Sequence, residues 1–170
     1  MKLFNRSTGL KRLRLVGCHR ITDYGFRSVA SKFPMLEDLD ITLDEDISHV
    51  TLSLVGRSCP LLKSFKFNKR RFIDVCNNSD GAELNDYAFA IAGNMHRLHH
   101  LMLLRNSLTN KGLSAILDGC PHLESLDLRQ CLNLKLGGSL GRRCVKQIQQ
   151  LWRPQDSIKD IDPSYNLNAE

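Results

Sequence analysis

Leucine and its apolar substitutes recur along this chain at a fixed internal spacing, with polar residues between them. Leu10, Leu13 and Leu15 stand in the pattern LxxLxL, followed by Cys18, Ile21-Thr22-Asp23, Gly25-Phe26, Val29-Ala30 and a closing Phe33-Pro34. The alternation around Leu13 and Leu15 predicts a strand with both facing inward, and the spacing of Phe26, Val29, Ala30 and Phe33 predicts one face of a helix. The pattern returns after about 26 residues. Its second copy is Leu36, Leu39, Ile41, Ile47, Leu52, Val55 and Cys59-Pro60, and its third opens on Leu62, Phe65 and Phe67. The helical half of the third, Leu84 to Phe89, arrives late, after an insertion near 71–82. Asn77-Asn78-Ser79-Asp80-Gly81 within it is turn chemistry, which predicts a loop. The fourth copy is Leu98, Leu101, Leu103, Leu108, Leu113, Ile116-Leu117 and Cys120-Pro121. The fifth is Leu123, Leu126, Leu128, Cys131 and Leu134, then a helix carrying Cys144 or Val145, Ile148 and Leu151-Trp152 on one face, which Pro154 stops.

A single strand-helix unit of this kind cannot bury its own apolar side, so neighbouring units must stack on it. The expected fold is therefore α/β, a leucine-rich-repeat solenoid with a curved parallel sheet on the concave side and helices on the convex side. Residues 1–9 read as the remnant of a preceding repeat, 10–153 as about five repeats, and 154–170 as a polar, loosely ordered C-terminal tail. Ile148, Leu151 and Trp152 are expected to cap the last rung. The inward position at the turn out of each strand, which satisfies backbone groups there, falls on Cys18, Asp44, Arg70, Asn106 and Cys131. A buried, unpaired Arg70 would cost several kcal/mol. The chain is therefore expected to leave its regular path at Arg70, where the inserted loop begins.

Side chains alternate along a strand, so the residues flanking the inward leucines point out from the concave face. The middle outward column reads Arg14, Asp40, Lys66, Met102, Asp127; His100 and Leu104 flank it on the fourth strand, and Asn68 and Arg129 end the third and fifth. Opposite charges on adjacent strands can pair, each exposed pair contributing only about 0 to 1 kcal/mol, which would make this a solvated lattice. Met102 and Leu104 favour docking instead, because apolar side chains placed outward beside charge suit the centre of a protein contact. The candidate protein-binding site is Arg14, Asp40, Lys66, Asn68, His100, Met102, Leu104, Asp127 and Arg129, overhung by the 71–82 loop.

Composition narrows the alternatives. The formal net charge of +6 favours acidic partners. Aromatics are not interleaved with the basic clusters Lys11-Arg12, Lys69-Arg70-Arg71 and Arg142-Arg143, so nucleic-acid binding is the third-ranked reading. No apolar run reaches the roughly 20 residues of a membrane helix, and the first residues lack the apolar core of a secretion signal. The protein is expected in the cytoplasm, the nucleus or both. Six cysteines, without a CxxC pair, read as reduced, buried apolar groups, with Cys76 in the loop the exposed exception. His96, His99, His100 and His122 do not converge as metal ligands would, Gly137-Gly138 is too short for a phosphate loop, and no nucleophile and base pair stands out. No enzyme class, cofactor or metal is expected.

Cys18 to Phe26 and Cys120-Pro121 resemble the cysteine-containing class of leucine-rich repeats. Three longer runs resemble the C-terminal part of plant F-box/leucine-rich-repeat proteins: Asn94 to Leu98, Leu117 to Cys131, and Leu140 to Cys144. In that family an F-box binds the Skp-type adaptor of a cullin ubiquitin ligase and the repeats present the substrate. The resemblance thus implies a protein-interaction module for substrate recognition in an SCF-type ligase. No F-box is recognisable here, so adaptor binding is expected only if one is supplied, and it is assigned to no residue of this chain. The alternative is a stand-alone interaction scaffold with no ligase role.

Overall fold

The computed structural model describes residues 9–42, 47–69 and 83–165. Asp44, Arg70, Cys76, the 71–82 insertion and residues 1–8 lie outside these. Strands β1 (Arg12–Val16), β2 (Asp38–Thr42), β3 (Ser64–Asn68), β4 (His100–Met102), β5 (Ser125–Asp127) and β6 (Gln150–Trp152) form one parallel sheet in chain order. Between them run helices α1 (Asp23–Ala30), α2 (His49–Ser58), α3 (Asp86–Asn94), α4 (Asn110–Gly119) and α5 (Gly138–Gln147).

The register aligns the inward positions across the sheet. Leu13, Leu39, Phe65, Leu101, Leu126 and Leu151 are successive partners, as are Leu15, Ile41 and Phe67. These side chains meet Phe26, Leu52, Val55, Ile91, Leu113 and Ile116 from the helices in one continuous core. Each large aliphatic or aromatic side chain buried this way stabilises by about 1.5 to 3 kcal/mol, and no rung could gain that alone.

The turns out of β1, β4 and β5 share one local device. Gly17, Arg105 and Gln130 take up left-handed conformations, with φ of 62°, 56° and 61°. The next residue then reaches inward to backbone carbonyls: the Cys131 thiol donates to Leu103 O at 2.7 Å, and Asn106 Nδ2 donates to Phe67 O at 2.7 Å. Helix starts are tied in a second way. Thr22, Ser48 and Thr109 cap α1, α2 and α4 through their hydroxyls. Asp23 Oδ1 accepts from Ser48 N (2.8 Å) and Ser48 Oγ (2.9 Å) of the next repeat, and Asn85 Oδ1 accepts from Thr109 N (2.9 Å). Burial alone would raise the Asp23 pKa, but hydrogen bonds from Thr51 and Ser48 and the charge of Arg27 leave it below the ordinary carboxylate value.

The C-terminal end departs from expectation. Helix α5 stops at Gln147, and Leu151 and Trp152 belong to a sixth strand rather than to a helical face. The run from Ile148 to Leu151 fits the i, i+3 spacing of a helix and equally the opening LxxL of another rung. The open edge of β5 decides between them: Gln149 N and Gln150 N donate to Glu124 O, both at 3.0 Å, and Leu128 N donates to Trp152 O at 2.9 Å. Sheet pairing satisfies backbone groups on both strands at once. Residues 153–165 also differ from a loosely ordered tail. They fold back over the concave face, and Tyr165 in the final 3-10 turn (Pro163–Tyr165) is buried.

Candidate functional site on the concave face

The register places Arg14 beside Asp40, Asp40 beside Lys66, Lys66 beside Met102, Met102 beside Asp127, and Asp127 beside Trp152. This single column crosses the sheet. Its carboxylates are not part of a solvated lattice: Asp40 is 4% exposed and Asp127 2%, and Asn68 (1%) and Arg129 (3%) beside the column are buried as well. The returning C-terminal segment crosses this face from Arg129, just past β5, to Arg14 on β1, and meets Asp40 on the way.

Leu104 is not outward at all. It is fully buried, because β4 ends at Met102 and strand alternation ends with it. The chain then turns through left-handed Arg105, and the Leu104 amide donates to Asn68 Oδ1 at 3.0 Å. His100 remains exposed, Lys66 and Met102 are half-buried, and the Arg14 side chain is half-exposed.

A chain of hydrogen bonds runs from β4 to the tail. Asn68, having accepted from Leu104 N, donates through Nδ2 to Thr42 Oγ1 (2.9 Å), and Thr42 donates to Asp40 Oδ1 (2.5 Å). Asp40 Oδ2 accepts from the Tyr165 hydroxyl at 2.8 Å, and that oxygen accepts from Lys66 Nζ at 3.1 Å. Every polar atom in this relay has a partner, as buried polar groups require. Arg14 adds an ion pair to Asp40 at 3.4 Å, another to Asp162 at 2.9 Å, a hydrogen bond to Ser164 Oγ, and a cation–π contact 5.3 Å from the Tyr165 ring centre. The hydrogen bond to Asp162 is the main reason the Arg14 pKa is raised.

A second cluster closes the other end. The Arg129 guanidinium forks onto Asp127, with Nη2 2.6 Å from Oδ2, while Nη1 donates to Ser157 O (2.7 Å) and pairs with Asp160 (2.5 Å). It also lies 5.6 Å from the Trp152 ring centre. Burial opposes its charge, but the two aspartates outweigh burial and the pKa is raised. Between the clusters, the segment and the sheet border a half-open pocket of about 270 Å³ lined in part by His100, Met102, Ser125, Trp152 and Ile161.

Trp152, Asp160, Asp162 and Tyr165 were not anticipated as part of this face. The available signal was charge complementarity: Asp160, Asp162 and the Tyr165 phenol lie in a tail read only as polar, and Arg14, Lys66 and Arg129 lie among the outward residues.

Other candidate chemistry resolves into structural roles. Among the described residues no group of three or more His, Cys, Asp or Glu side chains is placed to hold a metal. His96 Nδ1 bonds Gly119 O, and the rings of His99 and His122 stack at 6.0 Å. Burial pushes the Cys59 thiol up to about 11 and the Cys120 thiol to about 12. No described helix is long and apolar enough to cross a membrane.

No family model matches the sequence. Putative F-box/LRR-repeat protein 23 of Arabidopsis thaliana is 49% identical over 157 residues, 92% of this chain and 34% of that protein. The chain belongs to the F-box/LRR-repeat family. Putative F-box/LRR-repeat protein 21 of the same plant is 41% identical over 83% of this chain and 49% of its own length, and F-box protein SKIP19 is 42% identical over 93% and 49%. The chain thus spans about a third to a half of the length of these relatives. Among solved structures, the yeast Rad7 and Elc1 complex matches with a TM-score of 0.53 and 26% identity, over 72% of this chain and 29% of that one. The tropomodulin C-terminal domain of Caenorhabditis elegans matches with a TM-score of 0.55 over 85% of this chain and 86% of that one, a likeness of fold alone at 12% identity. The family and the leucine-rich-repeat fold support a protein-interaction role.

Proposed function

We propose that this chain is the substrate-recognition portion of an SCF-type ubiquitin ligase of the cytoplasm or nucleus, binding a protein on its concave face without catalysing a reaction itself. The observation that carries the reading is the continuous column from Arg14 to Trp152, in which every strand of a rigid sheet contributes one outward side chain. Rigid elements hold contact groups more precisely than loops do. Half-exposed Arg14 at one end, exposed His100 on the fourth strand and half-buried Met102 near the middle supply the polar rim and apolar centre of a protein contact. Family membership supplies the ligase context, in which an F-box would engage a Skp-type adaptor while the repeats hold the substrate.

The test is affinity capture from plant cells of the chain carrying an N-terminal F-box extension, with bound proteins identified by mass spectrometry. The expected result is recovery of a Skp-type adaptor together with a substrate, and loss of the substrate alone on combining Lys66→Glu with Met102→Ala. A substrate retained by that double variant would overturn the concave-face assignment. Recovery of the same partner without any adaptor would favour the stand-alone scaffold.

A further inference from the structure

The concave face already holds a peptide, and it belongs to the chain itself. Residues 157–165 meet the sheet mainly through side chains. Asp160 pairs with Arg129, Asp162 pairs with Arg14, and the Tyr165 phenol sits between Lys66 and Asp40. The segment's described backbone bonds are mostly its own turns, Ile161 N to Ile158 O and Tyr165 N to Asp162 O. A strand added to a sheet is held by its backbone. This segment is held as a docked ligand is, by charge and by one buried aromatic anchor.

We infer that the concave face is a receptor for an acidic, tyrosine-bearing segment, that residues 157–165 are its resident occupant, and that a protein partner docks by presenting the same chemistry in their place. The inference rests on the concave face being the binding face, and it specifies what binds there. Three features argue for exchange rather than permanent closure. Asp160 and Asp162 are exposed, and the Asp162 pair with half-exposed Arg14 is of the kind that holds weakly and is screened by salt. Tyr165 is the buried anchor and is joined to the solenoid through a short linker, so its advantage is local concentration. The segment also fills its site incompletely, leaving the half-open pocket beneath Ile161 and beside Met102 and Trp152 for a larger apolar side chain.

The anchor site also defines a chemical preference. The phenolic oxygen lies 2.8 Å from the Asp40 carboxylate, so the pocket calls for a hydroxyl donor. Lys66 Nζ donates to the same oxygen at 3.1 Å. The preferred ligand therefore carries a hydroxyl that donates to Asp40 and accepts from Lys66, as tyrosine does.

The experiment titrates a fluorescein-labelled peptide, SIKDIDPSY, copied from residues 157–165, into the full chain and into a full-chain variant with Asp160→Ala, Asp162→Ala and Tyr165→Ala. The vacated variant is expected to bind the peptide at least about ten times more tightly than the wild type, because the resident competitor is gone. Adding Arg14→Glu and Lys66→Glu is expected to abolish that binding, and a peptide with phenylalanine in place of the tyrosine to bind more weakly, because Asp40 and Lys66 then lose the hydroxyl between them. Equal affinity for wild type and variant, equal binding of a scrambled peptide, or a dimer that exchanges the segment between copies would overturn the inference. Should the variant fail to fold, hydrogen exchange on the wild type decides. Excess peptide must accelerate exchange in residues 157–165, and unchanged exchange overturns the proposal. A natural partner captured equally well by wild type and vacated variant would remove the competition and leave concave-face binding standing. A partner indifferent to Arg14→Glu and Lys66→Glu would remove the concave-face reading whatever the peptide does.

Discussion

The Tyr165 hydroxyl donates to the Asp40 carboxylate at 2.8 Å, joining residues 125 apart in sequence. Both groups are buried, and Lys66 completes the phenol's hydrogen bonding from the other side. Tyr165→Phe keeps the ring and deletes that link, leaving Asp40 short of a partner. The expected loss is about 1 to 3 kcal/mol of unfolding free energy, read from urea denaturation. Burial and the hydrogen bond to Asp40 push the phenol above its ordinary value near 10. A group raised on folding contributes stability that is complete below its unfolded pKa and disappears as pH rises toward its folded value. Wild-type stability is therefore expected to fall between about pH 9 and about pH 12 by more than that of Tyr165→Phe. Parallel curves would show that the phenol is not the titrating group.

Asp23 and Asn85 do the same job with different chemistry, and pH separates them. Each accepts from the cap residue of the following repeat, Ser48 in one case and Thr109 in the other. Replacing either with Ala strands a backbone donor and is expected to cost about 1 to 3 kcal/mol near neutral pH. Asp23 has a lowered pKa, so its contribution is present above the ordinary carboxylate value and is lost as pH falls through the depressed one. The cost of Asp23→Ala is therefore expected to shrink toward about pH 2. Asn85 carries no titrating group, so the cost of Asn85→Ala is expected to hold steady over the same range.

The stacking of this chain is legible in its sequence because it is carried by local periodicity. Leu13, Leu39, Phe65, Leu101 and Leu126 mark their rungs by spacing alone, and the structure pairs them in that register. Leu151 was harder to place, since Ile148 and Leu151 satisfy helical and repeat spacing together, and only the free edge of β5 decides between them. Burial of Leu104 is not legible from alternation, because the sequence pattern continues after β4 ends at Met102. The order of the tail is hidden for a different reason. Its ordering depends on Arg14, Lys66, Asp40 and Arg129, contributed by four separate strands, and no window around Tyr165 contains them.

Close approach of adjacent helices depends on glycines, Gly56 and Gly119 among them. A Cβ added at Gly56 would stand 2.6 Å from Asn94 Cβ and 2.8 Å from Asn94 O, and one added at Gly119 would overlap Ala92 O. The obstructing atoms include backbone of the packed helix α3, which cannot rotate away. Gly119→Ala and Gly56→Ala are each expected to destabilise by about 1 to 3 kcal/mol despite the better helix propensity of alanine. Thermal melting checks this, and a rise in melting temperature for either variant would mean that α3 yields more easily than its packing implies.

Thiol chemistry offers a readout of the core. Cys59, Cys120, Cys131 and Cys144 are buried, and burial raises the pKa of all four. Because the thiolate is the nucleophile, a raised pKa and an inaccessible sulfur both slow alkylation. Cys18 is only half-buried, on the first strand's exit turn, with its thiol 3.7 Å from Val16 O. In the native protein, iodoacetamide is expected to label Cys18 ahead of these four by at least about tenfold, measured by peptide mass spectrometry. Urea should erase the difference at the same concentration at which the solenoid melts, since one continuous core shields all four. Labelling of Cys144 at a lower urea concentration than Cys59 would instead show that α5 and β6 open before the rest. That outcome would set the C-terminal rung apart as a separately melting unit and tie the stability of the concave-face segment to it.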